Sequence, residues 1–111
     1  MRTRHRGSSL VGAAVAVLLT VAVTGCGGGG ESKPTTGVGI YKAYCATCHG
    51  VGGQGGVGPA LAGVVADKYP NIDDQIAVVA NGKGAMPAWS GRLTPQEIRK
   101  VVVYERTELG Q

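Results

Sequence analysis

Phenylalanine is absent from the chain, and only one tryptophan and four tyrosines stand among its 111 residues. That length holds one small domain at most, and its aromatic contacts must come from Tyr41, Tyr44, Tyr69, Trp89 and Tyr104. Cysteine is scarce and odd in number, at three. A disulfide framework needs pairs, so none is expected. Histidine is scarcer still: His5 and His49 are the only two. No Cys or His stands beyond His49, so a zinc site built from two ligand pairs lacks its second pair. No apolar run reaches the roughly 20 residues of a transmembrane helix. No twin arginine opens the chain. The glycines from Gly50 to Pro59 match neither a Walker loop nor a strand-turn-helix dinucleotide loop, which excludes a phosphate site. The one adjacent acidic pair, Asp73 and Asp74, cannot work as an acid–base couple. Neighbouring residues on a helix do not face each other.

What is present begins with a leader. Arg2, Arg4, His5 and Arg6 precede an uncharged apolar run from Leu10 to Val23, and Val23-Thr24-Gly25-Cys26 closes it. This is the layout of a secretory signal over residues 1–25. Its end resembles a bacterial lipobox, which implies cleavage before Cys26 and lipid attachment to it. An ordinary cut without lipid, or an uncleaved anchor, is the competing reading. The expected location is the outer face of the cytoplasmic membrane or the periplasm. Arg2, Arg4 and Arg6 leave with the leader. Of 11 basic residues 8 then remain against 7 acidic ones. The high isoelectric point thus belongs to the leader, and no nucleic-acid partner is implied. Residues 26–36, opening with Gly27 to Gly30, read as a flexible tether or simply as a loose start. Ten such residues reach on the order of 20 Å.

The stretch around which the rest is organised is Cys45-Ala46-Thr47-Cys48-His49. C-x-x-C-H is the attachment signal for haem c. Two thiols on one helical turn can each add to a vinyl group on one haem edge, and the next residue then offers an imidazole to the iron. A redox C-x-x-C pair and half a zinc site are the alternatives. The first wants a strand-rich surround that the chain lacks. A ligating imidazole needs its other N–H satisfied. The carbonyl of Pro59, in Gly58-Pro59-Ala60-Leu61, is the candidate acceptor, with a plain turn residue as the alternative. Outside the leader, His49 is the only histidine and Met86 the only methionine. Met86 sits in a glycine-flanked loop ahead of Pro87, and its thioether is a soft ligand suited to haem iron. A core methionine is the ordinary alternative.

Helical periodicity places the remaining parts. A first helix runs from about Gly37 into the C-x-x-C-H stretch, with Ile40, Tyr41 and Tyr44 on one side. Gly37 and Gly39 suit either a close helix crossing or a frayed start. Ala60 to Tyr69 is a short helical or turn segment. Asn71 caps a helix whose apolar side is Ile72, Ile76, Val79 and Ala80, and Asp73 and Asp74 suit its positive start. Thr94, Pro95 and Glu97 form a capping box ahead of Ile98, Val101, Val102 and then Tyr104 or Glu105.

From Gly37 to Tyr104, through these motifs in order, the chain resembles a class I c-type cytochrome. The resemblance implies an all-α fold of three to five helices, spanning residues 37–109, wrapped around one haem c bound through Cys45 and Cys48. It implies His49 and Met86 as axial ligands and a crossing of first and last helices near Gly37, Tyr41 and Tyr104. The expected function is one-electron transfer by a monomer, with no catalytic residue. Its redox partners would be a cytochrome bc complex and a terminal oxidase. The alternatives are a dedicated haem subunit of a periplasmic dehydrogenase or reductase, and a haem sensor or peroxidase in which Met86 leaves the iron.

Overall fold

The computed structural model describes residues Ser32 to Gln111; the leader, Cys26 and the glycine run lie outside them. Every regular element among these residues is helical. Their one β-type pairing is an isolated antiparallel bridge between Lys83 and Met86.

The first rod is made of three pieces in unbroken succession: α1 (Gly37–Ile40), a π-helical segment (Tyr41–Cys45) and α2 (Ala46–His49). Thr36 caps its start, its hydroxyl accepting from the Gly39 N–H at 3.1 Å. In the middle the Ala46 N–H reaches the Tyr41 carbonyl, five residues back. Such a wide turn inserts one residue and advances the later residues around the axis. The helix expected here is present, but its 3.6-residue period is broken just where Cys45 stands.

A one-turn helix, α3 (Val65–Lys68), comes after the glycine loop, and α4 (Ile72–Asn81) after that. The Asn71 side chain accepts from the Asp73 N–H at 3.0 Å, and Asp73 and Asp74 occupy the positive first turn. The last helix, α5 (Pro95–Thr107), carries the full capping box. The Thr94 hydroxyl accepts from the Glu97 N–H at 3.2 Å, and the Glu97 carboxylate accepts from the Thr94 N–H at 2.7 Å.

Helix α5 is the hub on which α1, α4 and α3 pack. It crosses the first rod at Gly37. A Cβ there would lie 2.5 Å from the Lys100 carbonyl oxygen and 2.8 Å from the Tyr104 Cβ, so only glycine lets the two backbones meet. Ile40, Tyr41, Val101 and Val102 fill the crossing and are fully buried. Burying each such side chain contributes about 1.5–3 kcal/mol. Two pairs carry the sparse aromatic packing: Tyr41 on Tyr104, centroids 5.6 Å apart, and Tyr44 on Trp89 at 5.3 Å. Tyr69 takes a different role from the one expected. Lys68 and Lys83 hold their ammonium groups 5.9 and 5.8 Å from its ring centre.

The residues just ahead of α1, expected as the end of a tether, lie against the domain. Lys33 donates to the Arg92 carbonyl at 2.7 Å and to Glu97 at 2.8 Å. Lys100 donates to the Thr35 carbonyl at 3.0 Å. The Lys33 pair and the Thr94 cap hold the Glu97 carboxyl below its ordinary range.

Candidate haem site

Cys45 ends the π-helical segment and is buried; Cys48, one turn on in α2, is exposed, and the two do not form a disulfide. Burial pushes the Cys45 thiol up to about 12, with the charges of Glu105 and Cys48 adding to the rise. A redox C-x-x-C pair needs the opposite, a thiol held down as thiolate. Zinc fares no better. Among the described residues no group of three or more His, Cys, Asp and Glu side chains is placed to hold a metal ion.

His49, the last residue of α2, is 8 % exposed. Its Nδ1 lies 2.8 Å from the Pro59 carbonyl oxygen. A carbonyl only accepts, so Nδ1 carries the proton and Nε2 keeps its lone pair. The glycine loop makes this contact by folding back over the end of α2. Gly55 N–H donates to the His49 carbonyl at 2.7 Å, Gly58 N–H to the Cys48 carbonyl at 2.8 Å, and Tyr41 Oη–H to the Gly50 carbonyl at 2.8 Å. These bonds satisfy carbonyls that a helix end leaves without partners. At Gly58 a Cβ would stand 2.9 Å and 3.0 Å from the imidazole Cε1 and Nδ1. The loop therefore cradles the ring edge so closely that a side chain is excluded.

Met86 lies on a second wall. Its N–H and C=O pair with Lys83 at 3.0 and 3.1 Å. Gly82 has φ +76°, and a Cβ there would meet the Met86 oxygen at 2.6 Å. Trp89 and Ser90 N–H groups donate to the Val79 and Ala80 carbonyls at 3.1 Å each, tying the loop to α4. Met86 is half-buried and packs against the same core cluster that holds Cys45. A thioether, an imidazole with a free lone pair and two thiols on one turn form a donor set suited to one haem.

Periodicity passes over Gln75 and leaves Glu105 as an alternative to Tyr104, yet both stand in the core next to this site. Glu105 is 5 % exposed and Gln75 is 2 % exposed. Gln75 Nε2 donates to Glu105 Oε2 at 2.8 Å, and Arg106 Nη1 donates to Gln75 Oε1 at 2.9 Å. Both occupy inward positions: Gln75 falls three after Ile72 and four before Val79, and Glu105 four after Val101. The register was available as a signal, and polarity hid it.

An all-helical fold with a vinyl-spaced thiol pair, a tautomer-fixed histidine and a glycine cradle defines a single-haem c-type cytochrome. Residues 32–104 match the family described as cytochrome C oxidase, cbb3-type, subunit III, and the chain belongs to this cytochrome c family. The chloroplastic cytochrome c6 of Chlamydomonas reinhardtii is 33% identical over 103 residues, covering 87% of this chain and 67% of that protein. Cytochrome c6 of Anabaena variabilis is 43% identical over 68 residues, 59% of this chain and 79% of that one. A solved structure of cytochrome c6 from the diatom Phaeodactylum tricornutum superposes with TM-score 0.55 at 39% identity, over 62% of this chain and 85% of its own. The chain thus carries one covalent haem c on Cys45 and Cys48. It is an electron carrier and not an enzyme.

Proposed function

We propose that His49 and Met86 are the two axial ligands of the haem iron and that the Pro59 carbonyl fixes the imidazole for that task. The supporting observation is the 2.8 Å contact between His49 Nδ1 and the Pro59 oxygen, which leaves Nε2 as the free nitrogen. Haem, when bound, supplies exchange of one electron between Fe(III) and Fe(II). The chain's own residues do the rest. Cys45 and Cys48 prevent dissociation, the glycine loop closes over the His49 ring, and the Lys83–Met86 bridge holds the second ligand loop in place. With both axial positions taken by protein, no site is left for a substrate, which suits a carrier. Replacing Met86 by Ala tests this directly. Loss of the thioether–iron absorption band and a fall in reduction potential are expected; an unchanged spectrum and potential would remove Met86 from the iron.

The chain is exported, as carriers of this family are, and serves redox partner proteins. We assign residues 1–25 to a cleaved signal, residues 37–109 to the haem domain and lipid to Cys26, with the tether that opens at Cys26 ending where Lys33 meets Glu97. This lets the domain shuttle along a membrane between a cytochrome bc complex and a terminal oxidase. Mass spectrometry of the membrane fraction tests the anchor: an unmodified Cys26 would overturn it. The family description names an oxidase subunit, and this favours a second reading, a haem subunit held by one membrane complex. Stoichiometric co-purification with a larger redox enzyme would select that reading; a free monomer would select the shuttle.

A further inference from the structure

Glu105 is a carboxyl group in the wrong place for structure alone. It lies in the α4–α5 interface, 5 % exposed, and receives one hydrogen bond, from Gln75 Nε2 at 2.8 Å. Among the described residues no cation pairs with it. The one ion pair among the described residues joins Lys33 to Glu97. The neighbouring Arg106 points away, to the Tyr69 and Pro70 carbonyls at 2.8 and 3.3 Å and to Gln75 Oε1. The groups facing Glu105 from the first rod are Tyr41, fully buried, and Cys45, each close enough to feel its charge. The charged residues of α3 and the start of α4, Asp67, Lys68, Asp73 and Asp74, are exposed. Burial without a counter-ion raises the Glu105 pKa to about 7, the Gln75 bond opposing the rise.

We propose that Glu105 couples a proton to the electron: it sets the reduction potential of the haem joined to Cys45 and makes that potential depend on pH. The physical link is the shared core. Cys45 and Glu105 are both buried, and the low dielectric between them screens poorly. Oxidised haem bears one more positive charge than reduced haem. A carboxylate at Glu105 therefore favours the oxidised form. Reduction removes that charge and strengthens proton binding at the carboxylate. One electron arrives from the donor protein, one proton arrives from water at a Glu105 carboxylate oxygen, and oxidation releases both. Gln75 holds the carboxyl in place in either state: its amide N–H donates to whichever oxygen is unprotonated. Arg106 fixes the amide the right way round by occupying Oε1.

The inference rests on haem attachment at Cys45 and not on the identity of the second axial ligand, so failure of the Met86 assignment leaves it standing. The test is a redox titration of the haem-loaded wild type and Glu105→Gln between roughly pH 5 and pH 9, about two units either side of the pKa. The wild-type potential should fall as pH rises through about 7. Where coupling is complete, each tenfold fall in proton concentration shifts the one-electron equilibrium tenfold, about 59 mV. Glu105→Gln should be flat over the same range. A flat wild-type profile overturns the proposal. So does a slope that survives in Glu105→Gln, since the haem propionates would then carry the proton. If Glu105→Gln does not mature, Glu105→Asp keeps the carboxyl and displaces it; its slope should persist with a shifted midpoint. An unmoved midpoint overturns the proposal equally. Proton uptake by the wild type on reduction in weak buffer, read with a pH dye, should be largest near pH 7 and absent near pH 9; no uptake near pH 7 also overturns it.

Discussion

The Cβ position of Gly58 and the imidazole of His49 exclude each other: an added methyl would stand 2.9 Å from Cε1. The ring cannot step aside, because Nδ1 is tied to the Pro59 oxygen at 2.8 Å and its neighbour Cys48 is bound to haem. Gly58→Ala must therefore tilt the ring or lift the loop. Overpacking of this kind costs about 1–3 kcal/mol. The expected outcome is a lower denaturation midpoint together with an altered visible spectrum of the haem-loaded protein. A spectrum and midpoint equal to wild type would show that the loop does not restrain the histidine.

Gly37→Ala meets a harder obstacle. Its Cβ would lie 2.5 Å from a backbone oxygen, that of Lys100, and a main chain in mid-helix cannot rotate away. The first rod must slide off α5, at a cost toward the upper end of about 1–3 kcal/mol. Gly91→Ala is the control. Nothing lies within 4 Å of a Cβ there and its φ is not positive. A change within about 0.5 kcal/mol is expected. Equal denaturant midpoints for the two variants would refute the close crossing.

Much of this crossing was legible in the sequence. The resemblance to class I c-type cytochromes implied a crossing near Gly37, Tyr41 and Tyr104, and Thr94-Pro95-Gln96-Glu97 wrote the start of α5 in cap chemistry that leaves few alternatives. The π-helical turn at Tyr41–Cys45 was not legible, because apolar spacing over five residues does not separate a wide turn from an ordinary one. Lys33 on Glu97 escaped for another reason: a pairing across 64 residues has no local pattern. Gln75 escaped, and Glu105 stayed ambiguous, because a polar residue at an inward position reads as surface until its partner is seen. In the site, residue types and order could be read; the 2.8 Å bond that selects the His49 tautomer could not.

Tyr41→Phe adds the residue type the chain lacks and removes one atom. The ring keeps its contact with Tyr104, but the Gly50 carbonyl loses its 2.8 Å donor. The carbonyl keeps its 3.0 Å bond from the Gly53 N–H, so the change removes one of its two hydrogen bonds, worth about 0.5–1.5 kcal/mol. The loss should appear as faster exchange of the amide protons of Gly53 and Gly55, whose bonds to Gly50 and His49 start the loop. Unchanged exchange would mean that water replaces the hydroxyl at no cost. Burial also pushes the Tyr41 hydroxyl up to about 12 from 10.0, with the charges of Glu105 and Tyr104 adding to it. Its raised pKa contributes stability that is present below about 10 and is lost as pH climbs toward 12. Tyr41→Phe should remove that alkaline loss.

Glu105 governs stability in a different window. Its folded pKa is about 7 against an ordinary 4.5. The folded chain therefore binds the proton more tightly than the unfolded chain does. The associated stability is fully present below pH 4.5, declines as pH rises, and is lost by about pH 7, amounting to about 3 kcal/mol. Glu97 works the other way, because Lys33 and the Thr94 cap hold its carboxyl down. Its contribution is present at neutral pH and is lost only as pH falls below the ordinary carboxylate value. The two windows do not overlap, so denaturant melts across pH separate them. Glu105→Gln keeps a hydrogen-bonding side chain of the same shape. It should flatten the decline between pH 4.5 and about 7 and leave the acid limb due to Glu97 in place. A variant that loses the acid limb and keeps the neutral decline would assign the titration to another group.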